Sequence, residues 1–125
     1  MFIFRYNGGA VGDISTNGTT ITFSGNAVSD IRYKENIQPI KNALKAINAL
    51  DFVTFNYKEN KQKSAGIVAQ QAQTVSKISD FVINGSNEES YKAVDYNAII
   101  GYLGAAIQEQ QIEIEELKNK LNNVI

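Results

Sequence analysis

The C-terminal part of this chain repeats with a period that leaves few folding options. Ile100, Ile107, Ile114 and Leu121 recur every seven residues, and Leu103, Gln110, Leu117 and Val124 form a second series offset by three. On one helix these two series draw a single narrow apolar stripe, the a/d seam of a coiled coil. The reading is a long helix from Asp95 onward, with the coiled coil over about residues 98–125. Isoleucine dominates position a, with Leu, one Gln and a terminal Val at d, and Ile at both positions favours three or more strands. We expect a parallel trimer. Glu113 at g and Lys118 at the following e would pair between chains, worth some tenths of a kcal/mol at a surface. The competing reading is a lone amphipathic helix packed on its own domain. Polar b, c and f positions, Ile112 excepted, leave the seam as the main apolar face and favour the oligomer.

The N-terminal part has a different period. Phe2, Phe4 and Tyr6 alternate with Ile3 and Arg5, and Asn7-Gly8-Gly9 then turns the chain. Val11 to Ser15 reads as a second strand, Thr16-Asn17-Gly18 as a second turn, and Thr19 to Phe23 as a third strand with Ile21 and Phe23 on one face, before Ser24-Gly25-Asn26. Three short strands with no helix to cover them make a poor core, so an intertwined β stalk of several chains is expected over residues 1–28. Met1-Phe2-Ile3-Phe4-Arg5 has the character of mid-strand sequence and lacks the n-region of a signal peptide, so Met1 is expected to begin a fragment of a longer protein.

Between these ends lies a mixed segment. Ile37, Ile40, Leu44, Ile47 and Leu50 fall at helical spacing, which predicts a helix over 37–50 with Pro39 in its first turn and Asn36 as its cap. Asp51 to Tyr57 alternates like a strand, Lys58 to Lys63 reads as a polar hairpin tip, and Ala65 to Ala69 as the return strand. A short helix is expected over Gln70 to Lys77. Phe81-Val82-Ile83 and Tyr91-Lys92-Ala93-Val94 read as strands around the Asn84 to Asn87 turn. The fold class is therefore α+β: a short β-stalk segment, a small mixed α/β globular part and a long C-terminal helix. A chain of 125 residues with 43% hydrophobic content holds one domain of ordinary size with an appendage, and oligomerisation would help so small a core.

With no Cys, no His and a net charge of -1, disulfides and thiolate zinc sites are excluded, and a nucleic-acid or anionic-membrane footprint is not expected. No cofactor is expected and no phosphate-cradling Gly-rich loop is present. The remaining chemistry concentrates in Ser29-Asp30-Ile31-Arg32-Tyr33-Lys34-Glu35-Asn36. A serine hydroxyl attacks only once a base removes its proton, and a neutral lysine is one base available without histidine. Lys34 is five residues beyond Ser29, so a turn or a helix start could fold its amine back toward it. Two bonds are candidates for cleavage. Attack by Ser29 on the carbonyl of Val28 transfers the acyl group from N to O and cuts before Ser29. A cut between Ser29 and Asp30 needs another attacker, an activated water or a serine of another chain. Asp30 can orient Lys34 or a water, and Arg32 or backbone N–H groups can stabilise an oxyanion. The plain structural reading of the same stretch is a helix cap by Ser29 or Asp30, with Arg32 and Lys34 solvated and Asn36 satisfying a backbone group.

Three segments in order resemble one family. These are Ser29 to Ile37 with Ile40 following, Gly66-Ile67-Val68-Ala69-Gln70-Gln71, and Tyr91 to Ile100 running into Ala105-Ala106-Ile107-Gln108-Glu109. The set is similar to the self-cleaving intramolecular chaperone domains at the C-terminus of phage tailspikes, tail fibres, neck appendages and endosialidases. The resemblance covers residues 29–125. It departs from the family at Gln71, where an acidic residue is common, and between Thr74 and Asp80, which lack a frequent proline. It implies a trimer that templates an upstream β-rich stalk in a phage virion precursor made in the host cytoplasm, then releases itself by a single self-cleavage. It implies Ser29 as the essential serine, Lys34 as the candidate base, and Asp30, Arg32, Glu35 and Asn36 as members of the same motif. The expected cut is Ser29–Asp30, and the expected partners are two further copies and the stalk of the parent chain. A non-cleaving trimerisation domain and a receptor- or glycan-binding fibre tip are the alternatives. For the latter, Tyr6, Tyr33, Tyr57, Tyr91, Tyr96 and Tyr102 would be the contact residues, although core or interface roles are the commoner fate of scattered aromatics. The hairpin tip at Lys58 to Lys63 has two readings, a grip on the stalk or a solvated loop.

Overall fold

The computed structural model describes residues 2–6, 8–19, 21–25, 29–87 and 89–124. The fold is mixed α/β, with short antiparallel strands and a long C-terminal helix. It divides into two compact units, Met1–Gln38 and Pro39–Ile125.

The first unit is an antiparallel meander of β1 (Phe2–Tyr6), β2 (Gly9–Thr16) and β3 (Ile21–Gly25). Phe2 lies opposite Ile14, and Ile14 opposite Phe23. The register shifts between Phe4 and Arg5. Both connections use glycine in the left-handed region, Gly8 at φ 81 and Gly18 at φ 94, where a Cβ would be strained. At the second turn the Asn17 carboxamide oxygen accepts from the Thr19 N–H and hydroxyl, both at 3.0 Å. The third strand runs two residues later than the sequence suggests. Its first expected residues include Thr20, which, like Asn7 and Asn26 of the turns, lies outside the described residues. The common face expected of Ile21 and Phe23 concerns side chains that also lie outside them. Phe2 and Phe4 are exposed, as the sequence anticipates for an uncovered three-stranded sheet. The unit ends in a single 3-10 turn, Ile31–Tyr33.

The second unit begins with a correction. The helix expected over 37–50 is only α1 (Ala43–Asn48), so neither Pro39 in its first turn nor Asn36 as its cap survives. Pro39 disfavours the α conformation at Gln38. Asn42, at φ 57, sits in the left-handed region and cannot continue a helix backward. Asn36, at φ 51, is also left-handed. Strands β4 (Val53–Asn56) and β5 (Lys63–Gly66) form a hairpin, with Val53 opposite Gly66. Its tip is closed by Tyr57 N–H to Gln62 O at 3.0 Å and Lys61 N–H to Tyr57 O at 2.9 Å, with Lys61 at φ 60.

The return strand starts and stops earlier than expected. At its end the Ile67 N–H donates to the Tyr96 hydroxyl, at 3.3 Å, rather than to a strand. The chain then enters α2 (Ala69–Ala72), and the rest of the stretch expected to be helical proceeds through turns. There Thr74 Oγ1 donates to Gln71 O at 2.7 Å, the local side-chain competition that makes threonine a poor helix former. A second 3-10 turn, Ser79–Phe81, leads into β6 (Val82–Ile83), which pairs antiparallel with β7 (Ala93–Val94). Asp95 then caps α3 (Tyr96–Val124), its Oδ1 accepting from Asn97 N–H at 3.0 Å and Ala98 N–H at 3.2 Å.

The core gathers Ala46, Leu50, Ile67, Ala72, Ile78, Val82 and Ile99, with Val94 and Tyr102 against it. Ile78, fully buried, is its anchor. Phe81 meets Tyr102 edge-on, ring centroids 5.6 Å apart. Helix α1 packs on α3. Its buried residues are Ala43 and Ala46, the small members of the pattern, while Ile37 and Ile40 remain exposed. Helix α3 has two faces. Ile99, Tyr102, Ala106 and Glu109 turn toward the domain, with Ile99 and Ala106 buried. The heptad residues Ile100, Leu103, Ile107, Ile114, Leu117, Leu121 and Val124 are exposed, as is Gln110. Beyond Gln110 every described residue of α3 is exposed. Lys118 pairs within the chain with Glu115, at 3.4 Å.

Candidate functional site

The 3-10 turn Ile31–Tyr33 decides where the motif's side chains go. The Asp30 carboxylate caps it, Oδ1 accepting from the Arg32 N–H at 2.9 Å. The turn closes through Tyr33 N–H to Asp30 O at 3.0 Å and Lys34 N–H to Ile31 O at 3.1 Å. One such turn brings Lys34 back over Ser29. Lys34 Nζ donates to Ser29 Oγ at 2.7 Å. A neutral amine at the same distance would accept the hydroxyl proton, which is the contact a serine nucleophile and its base require.

The neighbouring charges are organised separately. Arg32 grips Asp30 in a two-point ion pair, Nε to Oδ1 at 2.9 Å and Nη2 to Oδ2 at 2.7 Å. The Arg32 side chain, followed by its backbone N–H, holds the Asp30 carboxyl below its ordinary value. Asp30 raises Arg32 in turn. In the single chain Asp30 and Arg32 are thus engaged with each other, through side chain and backbone. The capping role read for Asp30 is present together with the Ser29–Lys34 contact, so the plain and the chemical readings describe different residues of one turn. Glu35 and Asn36 are exposed, and Asn36 contributes its left-handed backbone. The carbonyl of Val28, the alternative point of cleavage, lies outside the described residues. Ser29 and Lys34 are exposed in the single chain. A cleft of about 450 Å³ lies on other residues, Asn42, Lys45, Ala46 and the Thr74 to Lys77 turns.

The second and third motif segments meet within the second unit. A Cβ at Gly66 would fall 2.5 Å from the Tyr96 hydroxyl, so glycine is what lets Tyr96 reach the backbone of Ile67. Gln71 explains its own departure from the acidic pattern. Its carboxamide oxygen accepts from Asp51 N–H at 3.2 Å and its nitrogen donates to Ala49 O at 2.9 Å. A carboxylate could make only the first bond. Of the tyrosines offered as contact residues, Tyr96 and Tyr102 serve packing, whereas Tyr33 and Tyr91 are freely exposed. Tyr57 is half exposed against Phe55, and the side chain of Tyr6 lies outside the described set.

Sequence reasoning missed Glu109. From α3 its Oε1 accepts from Ala43 N–H at 3.0 Å and its Oε2 from Leu44 N–H at 2.8 Å. It caps α1 from another element, because Asn42 makes no side-chain cap of its own. The Leu44 N–H first, then the Ala43 N–H, lower the Glu109 carboxyl, with Lys77 adding a smaller electrostatic pull. Its sequence signals were its place at the end of the third motif segment and a carboxylate on the polar side of the seam, which is ordinary in any coiled coil. Among the described residues there is no cluster of three or more metal-ligating side chains, and no helix is long and apolar enough to cross a membrane.

No curated protein matches the chain. Residues 29–83 match the family model Peptidase_S74, described as chaperone of endosialidase. The match begins at Ser29 and takes in the first two motif segments, while the third, from Tyr91, lies beyond it. The resemblance read from the motifs is therefore borne out over that span, and the segment that holds Ser29 against Lys34 is similar to the chaperone of endosialidase.

Proposed function

We propose that residues 29–125 form an intramolecular chaperone that trimerises through α3, templates an upstream β-rich phage fibre or appendage stalk, and releases itself by cutting between Ser29 and Asp30. The observation that carries this reading is the 2.7 Å contact between Lys34 Nζ and Ser29 Oγ. The family match supports the chaperone and peptidase themes, and the exposed heptad face of α3 supports assembly.

In the proposed step, water adds to the Ser29 carbonyl carbon. Its proton passes through the Ser29 hydroxyl to a neutral Lys34 amine. The C–N bond then breaks, and the proton returns to the departing Asp30 nitrogen. The products are a carboxylic acid at Ser29 and a free amine at Asp30, and lysine is regenerated. The amine must be neutral, and burial favours that form. The exposure of Ser29 and Lys34 in the single chain fits a site completed only when copies assemble. A cut conditional on assembly checks correct folding, and loss of the template afterward makes unfolding of the stalk hard to reverse.

The test is intact mass under denaturing conditions for the wild type, Ser29→Ala and Lys34→Arg. Cleavage of the wild type alone supports the reading, because arginine keeps the charge and cannot serve as a base. A fragment beginning at Asp30 identifies the proposed bond, and one beginning at Ser29 moves the cut to Val28–Ser29. If all three stay whole when the parent stalk is attached, the domain is a non-cleaving trimerisation unit.

A further inference from the structure

We infer that Gln110 is the residue that aligns the copies of this chain, a carboxamide set into an otherwise aliphatic seam so that α3 packs on two further copies parallel and in register. The inference deepens the assembly part of the reading given above and rests on it.

The other seam positions are aliphatic. Ile100, Ile107, Ile114 and Leu121 stand at a, and Leu103, Leu117 and Val124 share d with Gln110. The neighbours of Gln110 in sequence are engaged elsewhere. Gln111, at e, donates along the helix surface to Glu115 at 2.8 Å, and Glu109 turns to the α1 amides. Gln110 is exposed in the single chain, as are the aliphatic residues of the seam. From Gln111 to Val124 every described residue of α3 is exposed, so that half of the helix has no apolar support from its own chain. A helical stretch of that length is marginal in water by itself. The charges beside the seam fit a second copy as its cover. Glu113 at g stands opposite Lys118 at the following e of a parallel neighbour. Within the chain Lys118 reaches Glu115 at a long 3.4 Å.

Aliphatic layers do not distinguish one alignment from another, because a heptad shift sets leucine or isoleucine against leucine or isoleucine again. One polar layer does. A carboxamide both donates and accepts. Three of them level on a threefold axis close a ring, each N–H donating to the next carbonyl oxygen. Moving one copy by a heptad, about 10 Å along the axis, sets its Gln110 level with Leu103 or Leu117 of its neighbours. The carboxamides then lie among apolar side chains without partners, and a hydrogen bond left unmade there costs more than a made one contributes. The same shift takes Glu113 away from Lys118 and, on one side of the moved copy, brings Lys120 at g opposite Lys118 at e. A polar residue at a single seam position thus specifies alignment at some cost in stability, and the charges at the rim act in the same sense.

The experiment compares the full chain as wild type, Q110L and Q110N, each made also with Val124→Cys, a single thiol in a chain that has no other cysteine. Two thiols level on the seam join, whereas a heptad shift carries them beyond the roughly 7 Å between Cα atoms that a disulfide spans. Sedimentation and thermal unfolding are read on the chains without cysteine, and cross-linking at equilibrium in a glutathione buffer on those with it. The wild type is expected to be a trimer that cross-links. Q110L should still associate, with a higher thermal midpoint, and cross-link at least threefold less, because the in-register alignment becomes one of several. Q110N keeps a carboxamide and should cross-link like the wild type. Q110L with wild-type cross-linking would overturn the proposal while leaving the assembly reading intact, and so would Q110N that cross-links as poorly as Q110L. A monomeric Q110L would overturn it too, by making Gln110 a residue the copies need in order to associate at all. A wild type that sediments as anything but a trimer removes the assembly reading and this inference with it.

Discussion

At the scale of single residues, the chain's least conspicuous side chains do the most structural work. Gly66 has no Cβ to collide with the Tyr96 hydroxyl. Gly66→Ala should cost about 1–3 kcal/mol as an overpacking change, measured by urea unfolding. In a Tyr96→Phe background the added methyl loses its nearest neighbour, so the same substitution should cost less there. Glu109 predicts a pH dependence with a definite sign. Its carboxyl is lowered in the folded chain by the Leu44 and Ala43 N–H groups, so the unfolded state binds its proton first as pH falls. The cap's contribution is complete above the ordinary glutamate value of 4.5 and is lost as pH falls through the lower folded value. Stability measured across that acid window should fall more steeply in wild type than in E109Q. Lys77 adds the smaller electrostatic pull on the carboxylate, the part of this effect that salt would screen.

At the scale of elements, α3 shows why a heptad pattern and a packing pattern can occupy one helix. Ile99, Tyr102 and Ala106 face the domain while Ile100, Leu103 and Ile107 remain exposed one position along. A seam read from periodicity is thus compatible with a helix that also completes a core. Ile114→Asp places a charge on the exposed seam beyond the domain. It should shift the chain toward monomer in sedimentation, with the circular dichroism of the second unit largely retained. No change in mass would mean that the seam is not an assembly surface. The elements that sequence reasoning drew too long, the helix over 37–50 and the one over 70–77, share a cause. Their apolar spacing persists through residues whose backbones cannot follow it, left-handed Asn42 in one case and the self-bonding Thr74 turn in the other.

At the scale of the molecule, the second unit depends on a core of few large side chains, so Ile78 carries a large share of it. Ile78→Ala should destabilise by about 2–5 kcal/mol, read as a lower midpoint in thermal or urea unfolding; a loss well under 1 kcal/mol would place the anchor elsewhere. The first unit is a three-stranded sheet with exposed Phe2 and Phe4. Sequence alone determined the strand–turn rhythm of that sheet, the long helix near Asp95 with its heptad face, and the Ser29–Lys34 pair. Each of these is written in local spacing: a period of two, a period of seven, or one turn of chain five residues apart. Only the tertiary structure decided that α1 begins at Ala43, that Gly66 makes room for Tyr96, and that Glu109 caps a helix 65 and 66 residues away. The physical reason is that short helices are settled by whichever partner reaches them. A partner that arrives from a distant element leaves no periodic trace in the sequence.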